Sequence, residues 1–263
     1  MDLGLSQRTA LICGSSSGLG FATAAALAAE GCRVALNGRD KGRLDHARTQ
    51  LAADHPDLVR GFQADVSVPA EADRLVSQAQ DAFGGLDILV CNAAGPPAAP
   101  FSELPPGTWR QALELNLLSA MHLSRAVLPR MESQRWGRII CITSIAAKQP
   151  LGGLILSTTA RAGVLGFTKS LADEVATHGI TVNAVCPGFM RTRRLEDLAD
   201  QRAAQSGGTR QEELDEMVRG VPSKRIGEPA ELAAAIAFLA SEQAGYITGV
   251  ALQVDGGFLR SIM

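Results

Sequence analysis

The chain has 263 residues, 46% of them hydrophobic, and a formal net charge of −2 with both signs interspersed. That length and apolar content suffice for one large α/β core, and the charge excludes a basic nucleic-acid footprint or a basic membrane face. Five cysteines, at 13, 32, 91, 141 and 186, mostly lie in apolar strand-like runs without metal-type pairing, as buried thiols of a reducing compartment do. With no apolar run of membrane-spanning length and no signal-like start, the expectation is a cytoplasmic chain with no membrane or nucleic-acid partner.

In chain order, residues 9–13 (TALIC) read as a short buried strand, followed by Gly14, Gly18 and Gly20 in a G-x-x-x-G-x-G turn. Residues 21–30 are Ala/Leu-rich and read as a helix. A strand, a glycine turn and a helix N-terminus together aim backbone N–H groups at a phosphate, and Ser15, Ser16 and Ser17 add hydroxyl donors. Further strands are expected at 32–37, 58–64, within 84–95, and at 137–144, 180–186 and 250–254. Helices are expected at 40–53, 69–83, 109–131, 157–178 and 229–240, the third of these continuous or slightly broken. Wholly apolar strands alternating with helices predict one doubly wound α/β (Rossmann) domain, a parallel sheet of about seven strands covered on both faces. Ligand is expected at the carboxyl ends of the strands.

The second strand ends in Asn37-Gly38-Arg39-Asp40. An acidic residue there would accept from the ribose hydroxyl of NAD; instead Gly38 leaves space and Arg39 offers a guanidinium to a 2′-phosphate, with Ser15 nearby. NADP(H) is therefore expected over NAD, and Asp65 stands where an adenine amino group can be held.

By CGSSSGLG (13–20), ADVS (64–67), ILVCNAAG (88–95), Asn116, Ser144, PGFMRT (187–192) and YITGVALQVDGG (246–257), the chain resembles the short-chain dehydrogenase/reductase family, of the 3-oxoacyl-ACP-reductase type. The resemblance implies a nicotinamide cofactor contacted by Gly14, Ser15, Ser17, Gly18, Leu19 and Gly20, by Asp65 and Val66, by the Asn92–Ala93 backbone, and by Arg161, Pro187, Gly188 and Thr192. Cys13 stands where the family usually has Thr, and Cys91 and Ala94 interrupt its usual Asn-Asn-Ala-Gly.

The resemblance also implies a catalytic Asn, Ser and Tyr-x-x-x-Lys, the tyrosine giving a proton to the carbonyl oxygen and the lysine lowering its pKa. Asn116 and Ser144 are present, but the tyrosine position holds Ser157 and the lysine position Arg161. The lone tyrosine, Tyr246, lies in YITG near the C-terminus. A serine is a far weaker and shorter acid than a phenol, and arginine stays charged and passes on no proton.

Three readings follow. In the first, the chain is an oxidoreductase in which Arg161, Ser144 and Ser157 stabilise oxyanion charge while water or substrate supplies the proton. Lys148 reads first as a solvated loop lysine and second as a substitute acid. In the second, the chain is a catalytically silent cofactor-binding sensor or subunit, with a heteromer allowed. In the third, it reduces an activated C=C or C=N bond. Residues 189–222, two charged helical pieces around Ser206-Gly207-Gly208, are expected to form a substrate lid. Arg191, Arg193, Arg194 and Arg202 read there as a solvated face before an anion-attracting one. The scattered histidines suggest no metal site, and the resemblance implies a homodimer or homotetramer acting on a small-molecule substrate.

Overall fold

The computed structural model describes residues 2–260. Seven strands form one parallel sheet: β1 (Thr9–Ile12), β2 (Arg33–Gly38), β3 (Val59–Gln63), β4 (Ile88–Cys91), β5 (Gly137–Ile142), β6 (Ile180–Pro187) and β7 (Ala251–Val254). Their spatial order is β3-β2-β1-β4-β5-β6-β7. The order reverses between β1 and β4, which opens a crevice at their carboxyl ends. All residues of β1, β4, β5 and β6 are buried, as expected of strands covered on both faces.

One face carries α1 (Gly18–Ala29), α2 (Lys41–Asp54) and α9 (Pro229–Ala240); the other carries α3 (Pro69–Phe83), α5 (Ser119–Gln134) and α6 (Ile155–Val175). In α3 the buried residues Ala72, Leu75, Val76, Ala79 and Phe83 follow the three-and-four spacing of one helical stripe, and the helix stops at Gly84 in the left-handed region, φ 76°. Each large aliphatic side chain buried this way contributes about 1.5–3 kcal/mol relative to exposure.

Two features near the site follow the sequence reading and add detail to it. The third expected helix is α4 (Pro106–Leu113) joined to α5 by a wide π turn over Glu114–Leu118, and this turn carries Asn116. Single π turns of this kind change the direction of one side chain without ending the helix. The segment expected as a lid folds as two helices, α7 (Arg193–Ser206) and α8 (Arg210–Arg219), with a small core of its own around Leu195, Ala199 and Met217. A bridge between Met190 and Gly227 and an ion pair between Arg191 and Glu228 at 2.8 Å fasten its base. Among the described residues no helix is long and apolar enough to cross a membrane, and no group of three or more His, Cys, Asp or Glu is placed to hold a metal. All five cysteines are buried and free.

Candidate active site

The crevice between β1 and β4 is framed by polar side chains that bind backbone. Asn92, at the end of β4, donates from Nδ2 to the carbonyls of Cys13 (3.2 Å) and Gly14 (3.1 Å). Asn37, in β2, accepts from the Gly14 N–H at 3.3 Å and donates to the carbonyls of Phe62 and Ala64. The turn has room for nothing larger than glycine where it matters. A Cβ on Gly20 would collide with the Gly14 carbonyl oxygen, and Gly18 sits at φ +59°. The N-terminus of α1 has no side-chain cap and no acidic residue in its first turn, and Ser17 is exposed beside it. Those uncapped N–H groups form a cradle suited to an anion such as a diphosphate.

Ser15 departs from expectation. Its side chain is fully buried, donating to the Ile12 carbonyl (2.7 Å) and accepting from the Asn37 N–H (2.9 Å). It therefore locks the turn to β2 and offers no hydroxyl to a phosphate; Ser16, which lies against Gly38, is the serine on that side. Arg39 is 62% exposed, and its guanidinium lies 3.5 Å from the Asp65 carboxylate. Burial works against ionisation of Asp65, but the Ser67 hydroxyl and N–H and the Arg39 charge outweigh it and hold the carboxyl below its usual range. The Val66 side chain is buried. Thr192 caps α7 with its methyl over Gly18, so α7 starts directly above the glycine turn. Pro187 ends β6, and Gly188 packs so closely on Asp255 that a Cβ would come within 2.8 Å of that residue's Cα. Ala94, which breaks the family pattern, is exposed and obstructs nothing.

The residues expected to be catalytic lie one strand over. Arg161, on α6, donates from Nη1 to the carbonyl oxygen of Thr143 and from Nη2 to Asn116 Oδ1 at 3.3 Å. Asn116, bonded in turn through Nδ2 to the Ala112 carbonyl, is aimed by the π turn. Burial first, and the charge of Arg194 second, push the Arg161 guanidinium down to about 10, so it remains charged at neutral pH. With Asn92, Ala93, Asn116, Ser119 and Thr143 it lines a small cavity of about 10 Å³. Ser144, just past β5, accepts from the Ala146 N–H at 3.0 Å. Ser157 lies on α6 one turn before Arg161 and is 7% exposed.

Lys148 is half-buried rather than a freely solvated loop lysine. Burial pushes the Cys186 thiol up, against the Thr143 hydrogen bond and the nearby charges of Lys148 and Arg161. Tyr246 is fully exposed and precedes β7, at the opposite end of the parallel sheet, so it cannot replace the missing phenol. Sequence reasoning did not single out Asn37 or Thr143 as site residues. Asn37 had a weak signal, a polar residue inside an apolar strand; the Thr143 partner atom is a backbone carbonyl and has none. A larger cavity, about 60 Å³, lies at the lid base between Phe189, Val221 and Asp255, and the Arg225–Glu231 ion pair closes one side.

Comparison with known proteins places the chain in a family. Residues 14–259 match the model of a family described as Enoyl-(Acyl carrier protein) reductase. The chain is 37% identical over 257 residues to a D-beta-hydroxybutyrate dehydrogenase of Cupriavidus necator, covering 97% of this chain and 99% of that protein. It is 36% identical over 255 residues to a 3-oxoacyl-[acyl-carrier-protein] reductase of Vibrio cholerae, covering 97% and 98%. Among solved structures, the L-sorbose reductase of Gluconobacter frateurii, complexed with NADPH and L-sorbose, superposes with a TM-score of 0.95 at 35% identity over the whole of both chains. With the sheet order, the glycine turn and the Asn116–Ser144 pair in place, the chain belongs to the short-chain dehydrogenase/reductase family, of the 3-oxoacyl-[acyl-carrier-protein]-reductase-like kind.

Proposed function

We propose that the protein is an NADP(H)-dependent oxidoreductase acting on a carbonyl/alcohol pair, with Asn116, Ser144, Ser157 and Arg161 in place of the family's Asn, Ser, Tyr and Lys. The observation that carries this reading is the bonded chain Asn116–Arg161–Thr143, which fixes a charged guanidinium at the strand ends. The uncapped α1 N-terminus suits the diphosphate, and Arg39, exposed beside Gly38, suits a 2′-phosphate. Asp65, Val66, the Asn92–Ala93 backbone, Pro187, Gly188 and Thr192 complete the cofactor strip.

When bound, the nicotinamide supplies or takes up the hydride. The protein's own share is electrostatic. The Ser144 oxygen already accepts from Ala146, which leaves its proton to donate to a substrate oxygen. The fixed positive charge of Arg161 stabilises alkoxide character as it develops there. Arginine keeps its protons, so the transferred one comes from water, from substrate or from the Lys148 ammonium.

Exposed apolar residues Leu118 and Met121 near the start of α5, and Tyr246, Val250 and Leu252 around β7, are faces on which a second copy can pack, and a homodimer or homotetramer is part of the proposal. The absence of a phenol from the centre favours the silent-subunit reading as the alternative.

Titration of NADPH fluorescence, followed by NADPH oxidation with L-sorbose, a 3-oxoacyl thioester and acetoacetate, tests this. Binding with turnover on any of them is the expected result. Binding without turnover on any carbonyl leaves the silent reading, and failure to bind sinks both.

A further inference from the structure

Of the arginines that open the lid, two are neutralised locally. Arg191 pairs with Glu228 at 2.8 Å, and Arg193 lies 4.0 Å from Asp197 on its own helix. Arg194 turns the other way. Its Nη2 donates to the Pro96 carbonyl at 2.7 Å, and its guanidinium lies against Gly95. Arg161 reaches the start of the same segment, sharing the small cavity with Asn92 and Ala93. Two guanidiniums thus lie along the backbone from Ala93 to Pro96.

Among the described residues neither pairs with a carboxylate. The charged neighbour that acts on Arg161 is Arg194, a like charge; the Cys186 thiol beside it is kept neutral by burial. Its Nε–H is buried with no hydrogen-bond partner. Asp255, an acid at the strand ends just past β7, is turned into its own loop, accepting from the N–H groups of Gly257 and Leu259. Arg194 itself is exposed, so it is the buried, unmatched Nε–H of Arg161 that calls for a further acceptor, and beside two cations an anion is the suitable one. The family's diphosphate position, at the α1 N-terminus under Thr192, has its own donors and does not account for Arg194.

We propose that Arg194, backed by Arg161, takes the carboxylate of a short 2-oxo or 3-oxo acid or of the matching hydroxy acid. The carbonyl handled here then lies close to a negative charge, unlike that of a neutral ketone, sugar or thioester. The inference rests on the oxidoreductase reading for its reaction but not for its binding.

The test separates the two. Acetoacetate and pyruvate, each beside its methyl ester, are titrated calorimetrically into the protein with and without NADP⁺, conditions in which no hydride is available to the ketone. The acids should bind about tenfold or more tighter than their esters, the size of one charge-assisted pair. Arg194→Ala should erase that preference, Arg194→Lys should retain part of it, and Arg193→Ala should leave it unchanged. With NADPH present, Arg194→Ala should raise KM for the acid and leave kcat nearly unaltered. Esters that bind as well as acids, or a preference that survives Arg194→Ala, overturn the inference. Arg194-dependent acid binding without turnover upholds it and sinks the reductase reading; turnover of neutral ketones with no preference for acids does the reverse.

Discussion

Restoring the phenol and the amine should raise turnover, and the structure sets the size of the gain and its cost. Ser157 lies in the first turn of α6, 7% exposed, one turn before Arg161 and after a loop whose residues Gln149, Pro150, Gly152 and Gly153 are exposed. A tyrosine at this buried position adds a ring to a packed site, so overpacking should cost about 1–3 kcal/mol. Lysine at 161 is shorter and cannot keep the bonds to both Thr143 and Asn116, a further loss of about 1–2 kcal/mol. Together these remain below the roughly 5–15 kcal/mol stability of an ordinary domain. A positioned general acid contributes about 10²–10⁴-fold, equivalent to about 3–5 kcal/mol off the barrier. The double variant Ser157→Tyr/Arg161→Lys should therefore show kcat/KM for a ketone up by about two orders of magnitude. Each single change should give much less, because phenol and amine act as a unit. NADPH oxidation by the four proteins, with urea unfolding to certify the fold, is the assay. A folded double variant that binds NADPH and turns over no faster than the parent refutes the assignment of positions 157 and 161 to the reactive centre.

Three further outcomes are expected. Gly18→Ala, at φ +59°, should cost about 1 kcal/mol in urea unfolding yet weaken NADPH binding more than that, since the added methyl enters the space between the turn and Thr192. Arg39→Ala should shift the ratio of NADPH to NADH dissociation constants towards NADH by about ten- to a hundredfold, the worth of a charge-assisted pair to a 2′-phosphate; an unchanged ratio removes the NADP preference. The Glu231 carboxyl, paired with Arg225 and accepting the Glu228 N–H, is held down to about 2. A depressed acid stabilises the fold above its unfolded pKa of about 4.5 and loses that contribution as pH falls through about 2. The stability difference between the parent and Glu231→Gln should therefore be constant above pH about 5 and shrink below it.

The parts of this molecule that announce themselves in sequence are those whose physics is local. A glycine turn between an apolar strand and an Ala/Leu helix has few alternatives, and the stripe 72-75-76-79-83 can only be one face of a helix. Side-chain direction is a different matter. Ser15, Ser16 and Ser17 are equivalent as letters, yet the first is buried against Ile12 and Asn37 while the third is open to solvent. Periodicity marks the segment before α5 as helical but not the extra residue in the turn at Glu114–Leu118 that aims Asn116.

The same limit applies to Arg161. Its spacing from Ser157 identifies the helix face, but its reach is set by the Thr143 carbonyl, an acceptor every residue possesses and no motif can mark. Four arginines in the lid look alike in sequence, and the loop carbonyl of Pro96, 98 residues away along the chain, singles out Arg194. The electrostatic character of the site thus depends on which cations find a local acid. Arg191 and Arg193 do, whereas Arg161 and Arg194, at the two ends of the Ala93–Pro96 segment, have none among the described residues. A positive centre of that kind suits a reaction that builds negative charge on oxygen, whatever group returns the proton.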